Sequence, residues 1–237
     1  MKYSAVLFDL DDTLLKNDPK QFVKYYFQTL TPHVADYFHP NEFIDLMTGA
    51  TKAAIAAKRS TRTLREVFAD YFERHASIPF AVLEKIANEY YSKDYIKIKA
   101  ITRPVPGAQS VLNTALKVAS HIVLATVPIF PRAAIQERMR WAGVEHVQFS
   151  LVTSYEIMHV SKPNPEYYLE ICEKLNCRPT SCLMVGNDYN DDMSAKYAGL
   201  ETFLVTDFAS GDKQSGFEPD FSGTMQDLAH FLCKSSL

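Results

Sequence analysis

Two aspartates lie two residues apart directly after the first apolar stretch of the chain, and this pairing suits metal binding and phosphoryl chemistry. The apolar residues 5–8 lead into Asp9 and Asp11. Two carboxylates that face one small site repel each other, and the pKa of one of them rises. A divalent cation removes that conflict, and Mg²⁺ prefers oxygen ligands of this kind. The alternative interpretation, a plain acidic turn, is the weaker one because matching residues follow elsewhere in the chain.

The position of these aspartates in a predicted sheet supports a chemical role. Residues 5–8 have the composition of a strand buried in a parallel sheet. In open parallel sheets, ligands bind just beyond the carboxyl ends of the strands. Three later strand-like segments also lead into polar residues, namely Thr126, Lys162 and the run 187–192. We therefore expect these four positions to meet at one edge of the sheet.

The four positions together suit phosphoryl transfer. A carboxylate can attack phosphorus and form an aspartyl-phosphate intermediate. A metal ion neutralises charge and orients the phosphoryl group. Thr126 and Lys162 can hold the equatorial oxygens, where charge builds in the transition state. Each position alone is weak evidence, because a threonine after a strand is usually structural and a lysine before a proline usually lies on the surface. The ordered set is a strong signal.

The elements that must position these residues predict an α/β fold. After residue 103, strand-like and helical segments alternate, which is typical of a Rossmann-like parallel sheet with helices on both faces. Residues 19–94 instead show helical periodicity with almost no strand pattern. Because the first strand belongs to the sheet, this region is an α-helical insertion. We predict a catalytic core of residues 1–15 and 104–237 and an inserted helical domain of residues 16–103.

The spacing of apolar residues and of the breaks between them also predicts individual elements. The predicted helices of the core cover residues 107–120, 131–141, 165–175, 191–197 and 225–232. The predicted later strands cover residues 121–126, 149–153, 182–185 and 202–205. Residues 210–217 have the most linker-like composition, and we expect a mobile loop there.

Composition and charge narrow the class of protein. The chain has 237 residues and a formal net charge of -3, which argues against a broad surface for nucleic acid. No apolar stretch approaches the ~20 residues that cross a bilayer. Acidic residues also stand where a signal peptide needs an uninterrupted apolar region, so we expect a cytoplasmic protein. The pattern leaves the oligomeric state open.

The four cysteines do not follow a usual metal-binding pattern. They are Cys172, Cys177, Cys182 and Cys233. The first three are five residues apart, a spacing that fits none of the common zinc motifs. We expect reduced, mostly buried thiols, with a metal site or a disulfide as the minor alternative.

In these residues, the chain resembles phosphohydrolases of the haloacid dehalogenase superfamily, and specifically those with a helical type 1 cap. The run 9–13, Asp-Leu-Asp-Asp-Thr, matches the first family motif, Asp-x-Asp-x-Thr. Thr126 matches the second motif, Lys162 the third, and the acidic run 187–192 the fourth. The resemblance covers nearly the whole chain, because the insertion lies where the family places its cap.

The resemblance implies a role for each matching residue and implies Mg²⁺ as the cofactor. Asp9 is expected to be the nucleophile and a metal ligand. Asp11 is expected to act as the general acid and base and to offer its backbone carbonyl to the metal. Thr126 and Lys162 are expected to bind phosphate. Asp188 is expected to complete the metal site.

The fourth motif leaves an alternative open, because Asn187 follows Gly186 where the family usually has aspartate. Asn187 is then the metal ligand if the motif is aligned on the glycine. Asp188 is the ligand, with Asp192 in support, if it is aligned on two aspartates four residues apart. We favour Asp188, since a hard dication prefers a charged ligand. Asp191 is the alternative to Asp192 as the supporting residue.

The predicted function is that of a Mg²⁺-dependent phosphatase acting on a small phosphorylated metabolite. A phosphomutase of the same superfamily, similar to β-phosphoglucomutase, is the main alternative. A non-catalytic protein that binds a phosphorylated ligand is a more remote one. A dehalogenase is disfavoured because Asp11 supplies an acid and base that haloalkanoate hydrolysis does not need. A phosphorylated receiver domain is disfavoured because such domains are about half this length.

The cap is expected to choose the substrate and to exclude water. Its basic segment consists of Lys52, Lys58, Arg59 and Arg62. This segment has two interpretations, a contact for a second anionic group of the substrate or, more commonly for such a run, a solvated helix face.

Overall fold

A parallel sheet forms the centre of the molecule, as seen in a computed structural model that describes residues 1–214 and 216–234. The strands in these residues are β1 (Tyr3–Phe8), β2 (Leu15–Lys16), β3 (Arg103–Pro104), β4 (Ala119–Leu124), β5 (Leu151–Val152), β6 (Cys182–Gly186), β7 (Glu201–Val205) and β8 (Phe221–Gly223). Six of them form the main sheet in the order β5-β4-β1-β6-β7-β8, and each neighbouring pair is parallel. The predicted α/β class is confirmed.

The helices cover the sheet and form the insertion. They are α1 (Pro19–Leu30), α2 (Pro40–Ile55), α3 (Leu64–His75), α4 (Phe80–Lys93), α5 (Ala108–Val118), α6 (Arg132–Ala142), α7 (Glu166–Lys174) and α8 (Met225–Lys234). Local signals explain several of their ends. The Asp18 side chain accepts hydrogen bonds from the first amides of α1, and Thr63 and Glu66 form a capping box at α3. Gly143 ends α6 with a φ of 70°, a conformation that suits glycine.

Strand β1 is central and buried on both faces. Val6, Leu7 and Phe8 have no exposed surface. Phe8 lies opposite Leu124 of β4 on one side and Val185 of β6 on the other. This register brings the residues that follow the three strands to the same edge of the sheet.

Helices α1–α4, with 3₁₀ helices over Thr31–Val34 and Tyr95–Ile101, make up the helical insertion. Strands β2 and β3 lie at its two ends and pair with each other in an antiparallel ribbon. Leu15 pairs with Pro104 in this ribbon, close to the predicted boundaries at residues 15 and 104. The division into core and cap stays a prediction, and the ribbon lies where the predicted boundary between them falls.

Several elements differ from the sequence-based expectation. The predicted helix over 191–197 is a 3₁₀ helix over Met193–Ala198, because residues 188–192 form a hydrogen-bonded loop instead. The predicted strand over 149–153 is shortened to β5, and the strand over 121–126 is shifted to β4. Strands β2, β3 and β8 were not predicted, since two or three residues carry no periodic signal.

The loop expected over residues 210–217 follows β7 and precedes β8, and residue 215 of it lies outside the described residues. Its first residue, Ser210, bonds to the acidic loop through the side chains of Asn187 and Asp188. Within 1–214 and 216–234, no helix is both long and apolar enough to cross a membrane.

Cys172, Cys177 and Cys182 form no disulfide bond with one another, and they lie together. The sulfur atoms of Cys172, Cys177 and Cys182 are all within 4.8 Å of one another. Cys182 begins β6, so the group lies at the end of the sheet opposite the polar strand ends. The spacing of five residues concealed this cluster because a helix end and a 3₁₀ turn fold the intervening chain back.

Candidate active site

Asp9 lies at the carboxyl end of β1, between the ends of the neighbouring strands. Its backbone N–H donates to the carbonyl of Val185, at 2.9 Å, and the Ala125 N–H donates to the carbonyl of Phe8, at 2.7 Å. The chain then turns sharply at Asp12, which has a φ of 59°, a conformation that aspartate tolerates better than most residues. The Asp9 side chain is buried, with 9% exposed, whereas 31% of the Asp11 side chain is exposed.

Lys162 is fully buried between two carboxylates. Its Nζ lies 2.9 Å from Oδ1 of Asp9 and 2.6 Å from Oδ1 of Asp192. Burial opposes the charge of Lys162, but the two carboxylates outweigh it and hold the pKa of the ammonium group well above its usual range. Burial also raises the pKa of Asp9 well above its usual range, and Lys162 opposes that rise. One cation therefore serves two buried acids.

The backbone of Thr126 is fixed by two side chains. The hydroxyl groups of Tyr167 and Thr153 donate to its carbonyl oxygen, at 2.8 and 2.9 Å. Thr126 is itself buried, with 2% exposed. These two bonds fix the backbone of Thr126 at the carboxyl end of β4. Tyr167 follows Pro165 at the start of α7, and the sequence carried no signal for its role.

The acidic loop after β6 is held by its own hydrogen bonds. Oδ2 of Asp192 accepts from the backbone N–H of Asp188, and Oδ1 of Asp188 accepts from the N–H groups of Asn190 and Asp191. The Asn187 amide oxygen accepts from the hydroxyl of Thr13, at 3.0 Å. Both Asn187 and Asp188 thus lie at the strand edge, and Asp192 rather than Asp191 contacts Lys162.

Asp191 is largely buried but contacts no cation directly in the described part of the chain. Burial raises its pKa to about 6, because the attraction of Lys162 does not offset burial and the neighbouring Asp192 and Asp188. A raised carboxyl pKa in the folded state means that stability is lost as pH rises from about 4, the usual pKa, through about 6. The ionised carboxylate of Asp191 therefore lowers the free energy of unfolding at neutral pH.

Replacing Asp191 by asparagine is expected to stabilise the metal-free protein at pH 7.5, by up to about 3 kcal/mol. The reason is that asparagine has no charge to desolvate. Urea denaturation in EDTA at pH 7.5 and at pH 4 measures the free energy of unfolding, and the gain should fade at pH 4. Asp36→Asn, an exposed site, is the matched control. An equal change at both pH values would contradict the prediction.

Asp11 is held by two side chains that the sequence did not single out. Its Oδ1 accepts from Nδ2 of Asn17, at 3.0 Å, and its Oδ2 accepts from Nη1 of Arg138, at 2.6 Å. Arg138 is 2% exposed and lies against the rings of Phe130 and Phe22, 4.8 and 5.7 Å from their centroids. Asn17 is a polar residue at the start of the insertion, which is only a weak indication of a contact with Asp11. Arg138 has the sequence position of an ordinary arginine in an amphipathic helix, so its role could not be inferred.

The chemistry of this edge fits a hard divalent cation. The available ligands are oxygens, from the carboxylates of Asp9 and Asp188 and the backbone carbonyl of Asp11. Acidic groups outnumber the buried cations here, and the pKa values of Asp9 and Asp191 are raised as a result of burial and of neighbouring acids. A bound dication would offset that excess of negative charge.

The insertion contacts the core near the loop that carries Lys162. The backbone N–H groups of Leu64 and Arg65, in the first turn of α3, donate to the carbonyls of Met158 and Tyr155, both at 2.8 Å. Arg59 forms an exposed ion pair with Glu173 of α7. These contacts connect the insertion to the segment that precedes Lys162 and to α7.

The basic segment of the cap is mostly engaged elsewhere. Arg59 pairs with Glu173, and Arg62 pairs with Asp70. Lys58 is exposed, and only Lys52 of the four lines the cavity under the cap. Lys58, Arg59 and Arg62 lie in the loop between α2 and α3, so they are exposed as expected but do not form a helix face.

The chain is similar in sequence to one family of hydrolases and to proteins named as phosphatases. A model of the haloacid dehalogenase-like hydrolase family matches residues 3–199. Pyrophosphatase PpaX from Bacillus velezensis is 24% identical over 231 residues, covering 97% of this chain and 96% of that protein. N-acetylmuramic acid 6-phosphate phosphatase from Pseudomonas aeruginosa is 26% identical over 214 residues, covering 86% and 82%.

Solved structures show the same fold. The crystal structure of a predicted phosphoglycolate phosphatase from Haemophilus somnus matches this chain with a TM-score of 0.58 at 18% identity, and the match covers 98% of each chain. At this level of identity, the likeness concerns the fold alone.

Proposed function

Because the chain belongs to the haloacid dehalogenase-like hydrolases and is a phosphatase of that superfamily, we propose that it hydrolyses a small phosphorylated metabolite, with Mg²⁺, through an aspartyl-phosphate on Asp9. The observation that carries the proposal is the position of Asp9. It ends the central strand, and the buried Lys162 holds one of its oxygens at 2.9 Å. The names of the two phosphatase relatives support hydrolysis as the reaction.

In the first step, a carboxylate oxygen of Asp9 attacks phosphorus, and the bond from phosphorus to the leaving oxygen breaks. Thr126 and Lys162 bind the equatorial oxygens, where negative charge accumulates. Asp11 donates a proton to the leaving oxygen. Its side chain lies on the wall of the cavity under the cap, which is the side where a leaving group has room.

In the second step, water attacks the aspartyl-phosphate. Asp11, now ionised, removes a proton from that water, and Asp9 is released with inorganic phosphate. Asn17 and Arg138 position the Asp11 carboxylate between the two steps. The cap excludes other water while the first step takes place.

The metal site is proposed to consist of Asp9, Asp188 and the carbonyl of Asp11, with Asn187 and Asp192 in support. When bound, Mg²⁺ supplies charge neutralisation and orients the phosphoryl group. Asp192 supports the site by holding both Lys162 and the backbone of Asp188. Asn187 remains the alternative ligand through its amide oxygen.

Hydrolysis of p-nitrophenyl phosphate with and without metal tests the proposal. We expect turnover in excess Mg²⁺ and at least about a hundredfold loss in EDTA, since the excess negative charge at the strand edge then repels phosphate. Readdition of Mg²⁺ should restore the rate. Equal rates in both conditions would contradict the metal-dependent mechanism. Absence of turnover on every ester, with intact protein, would favour the phosphomutase or the binding protein.

A further inference from the structure

Three cysteine sulfurs meet at the amino end of β6, and Cys172, Cys177 and Cys182 are called the cysteine cluster below. Sγ of Cys182 lies 3.4 Å from Sγ of Cys177 and 3.9 Å from Sγ of Cys172. The sulfurs of Cys172 and Cys177 are within 4.8 Å of each other. A buried cysteine ordinarily packs as a small apolar side chain. Such packing does not require three sulfurs to converge on one point, so the arrangement calls for a chemical explanation.

The distances between the sulfurs match those around a metal ion. A point equidistant from the three sulfurs lies between about 2.0 and 2.4 Å from each of them, and a bond from zinc to a thiolate is about 2.3 Å long. An ion at this point would reach every sulfur after only small movements of the side chains. Thiolates are soft ligands that favour Zn²⁺ and Cu(I), whereas Mg²⁺ prefers oxygen. The cluster therefore suits a different class of ion from the acidic strand edge.

The backbone holds the three cysteines in place without an ion. Cys172 lies near the end of α7, and the N–H of Cys177 donates to its carbonyl oxygen, at 3.0 Å. Asn176 turns the chain between them with a φ of 51°. Cys182 begins β6 and lies opposite Ala5 of β1. Because these anchors are already formed, binding an ion requires little ordering of the chain, which lowers its entropic cost.

The cluster is accessible from solvent on one side. Cys172 and Cys182 are buried, but Cys177 is partly exposed and its neighbours Asn176 and Arg178 are exposed. An ion can therefore bind Cys177 first and then the two buried thiols. Within residues 1–214 and 216–234, no histidine or carboxylate joins the three sulfurs in this group. Zinc in proteins is almost always tetrahedral, so a water molecule beside Cys177 would be its fourth ligand, whereas Cu(I) is satisfied by three thiolates.

We propose that the cysteine cluster binds one thiophilic metal ion, Zn²⁺ or Cu(I), through three thiolates. Binding replaces the thiol protons, which pass to solvent, and changes no oxidation state. The ion cross-links the end of α7 to the start of β6 and stabilises the folded chain, because the unfolded chain does not hold the three sulfurs together. This site is independent of the proposed function, since it lies at the opposite end of β6 from the acidic loop.

Metal titration of the reduced protein tests the site. The protein is reduced, freed of reductant and kept anaerobic, and excess Mg²⁺ occupies the strand edge. Zn²⁺ and, separately, Cu(I) are then titrated in competition with a chromophoric chelator. We expect one ion per chain and a loss of affinity of at least about a hundredfold in Cys177→Ser. Cys233→Ser, which changes an exposed cysteine of α8, is the matched control and should keep the wild-type affinity.

Two outcomes of the titration would overturn the proposal. One is that the wild type holds neither ion against the chelator. The other is that Cys177→Ser holds an ion as tightly as the wild type does, because the ion would then be bound elsewhere.

X-ray absorption of the metal-loaded wild type gives an answer that depends on no variant. We expect three sulfur neighbours at about 2.3 Å, with one additional oxygen for Zn²⁺ and none for Cu(I). A first shell with fewer than three sulfurs would overturn the proposal. A shell of oxygens alone would assign the ion to the acidic strand edge instead.

Thermal unfolding measures the cross-link. One equivalent of Zn²⁺ in excess Mg²⁺ should raise the melting temperature of the wild type and of Cys233→Ser by about 5 °C or more and leave that of Cys177→Ser unchanged. An equal rise in Cys177→Ser would contradict the assignment. Turnover of p-nitrophenyl phosphate in Mg²⁺ should be the same for Cys177→Ser and the wild type. If the cluster binds metal but no ester turns over, the proposed function fails and this inference stands.

Discussion

Replacing Asp9 by asparagine is expected to lower kcat by at least about 10⁴-fold, because the amide is not a nucleophile toward phosphorus. The fold should remain intact, since asparagine has nearly the same shape and the Asp9 carboxylate is itself costly to bury. Lys162 keeps its second partner, Asp192, in the variant. Turnover of p-nitrophenyl phosphate in Mg²⁺, together with the melting temperature, measures both effects.

Asp36→Asn is the control for this substitution, because it removes an exposed carboxylate from the cap without touching the strand edge. Its kcat should equal that of the wild type. If Asp9→Asn retained substantial turnover, Asp9 could not be the nucleophile. A large fall in melting temperature for Asp9→Asn would instead show that its ion pair with Lys162 outweighs the cost of burying the acid.

Replacing Lys162 by methionine is expected to destabilise the protein by about 3–5 kcal/mol at pH 7.5 and to abolish turnover. The variant leaves the buried carboxylates of Asp9 and Asp192 with no cation between them. The raised pKa of Lys162 means that its stabilising charge is present throughout the neutral range and is lost only at alkaline pH. Urea denaturation measures the free energy of unfolding.

Two controls make the Lys162 result specific. Lys117→Met removes an exposed ammonium group and should change stability little. Adding Asp192→Asn to Lys162→Met should recover part of the lost stability, because one uncompensated carboxylate is removed. The loss should also shrink at low pH, as Asp9, whose pKa burial raises, becomes protonated. Equal stability of Lys162→Met and wild type would mean that the triad contributes no net free energy.

The strand edge could be predicted because its residues follow strands in a parallel sheet. Asp9, Thr126 and the run 187–192 come directly after β1, β4 and β6 or within two residues of them. The register of the sheet brings strand ends together whatever the details of packing. Lys162 follows β5 after a longer loop, and only the order of the motifs suggested its place beside Asp9. The roles of these residues stay predictions until the variants are measured.

Arg138 could not be predicted in the same way. Its position on α6 is that of an ordinary helix arginine, and its partner Asp11 is 127 residues away in the chain. The cavity under the cap is equally invisible in the sequence, because the aromatic residues of the insertion predict a helical core whether or not space remains between cap and sheet. Helix periodicity reports which face is buried but not what it is buried against.

The short strands β2 and β3 escaped prediction for a different reason. Each has two residues, and Arg103–Pro104 is exposed. The two strands lie at opposite ends of the insertion in the sequence, so no local pattern predicts that they pair. The cysteine cluster has the same origin, since the loop between Cys172 and Cys182 closes only in the folded chain.

Two backbone hydrogen bonds, from the first turn of α3 to Tyr155 and Met158, connect the insertion with the core segment that leads to Lys162. The same segment of the core continues four residues further to Lys162, the cation that grips Asp9. A movement of the insertion away from the core would therefore displace the segment that carries Lys162. We expect a substrate bound beneath the insertion to restrict that movement. The backbone from Tyr155 to Lys162 therefore connects the insertion with the lysine that contacts Asp9.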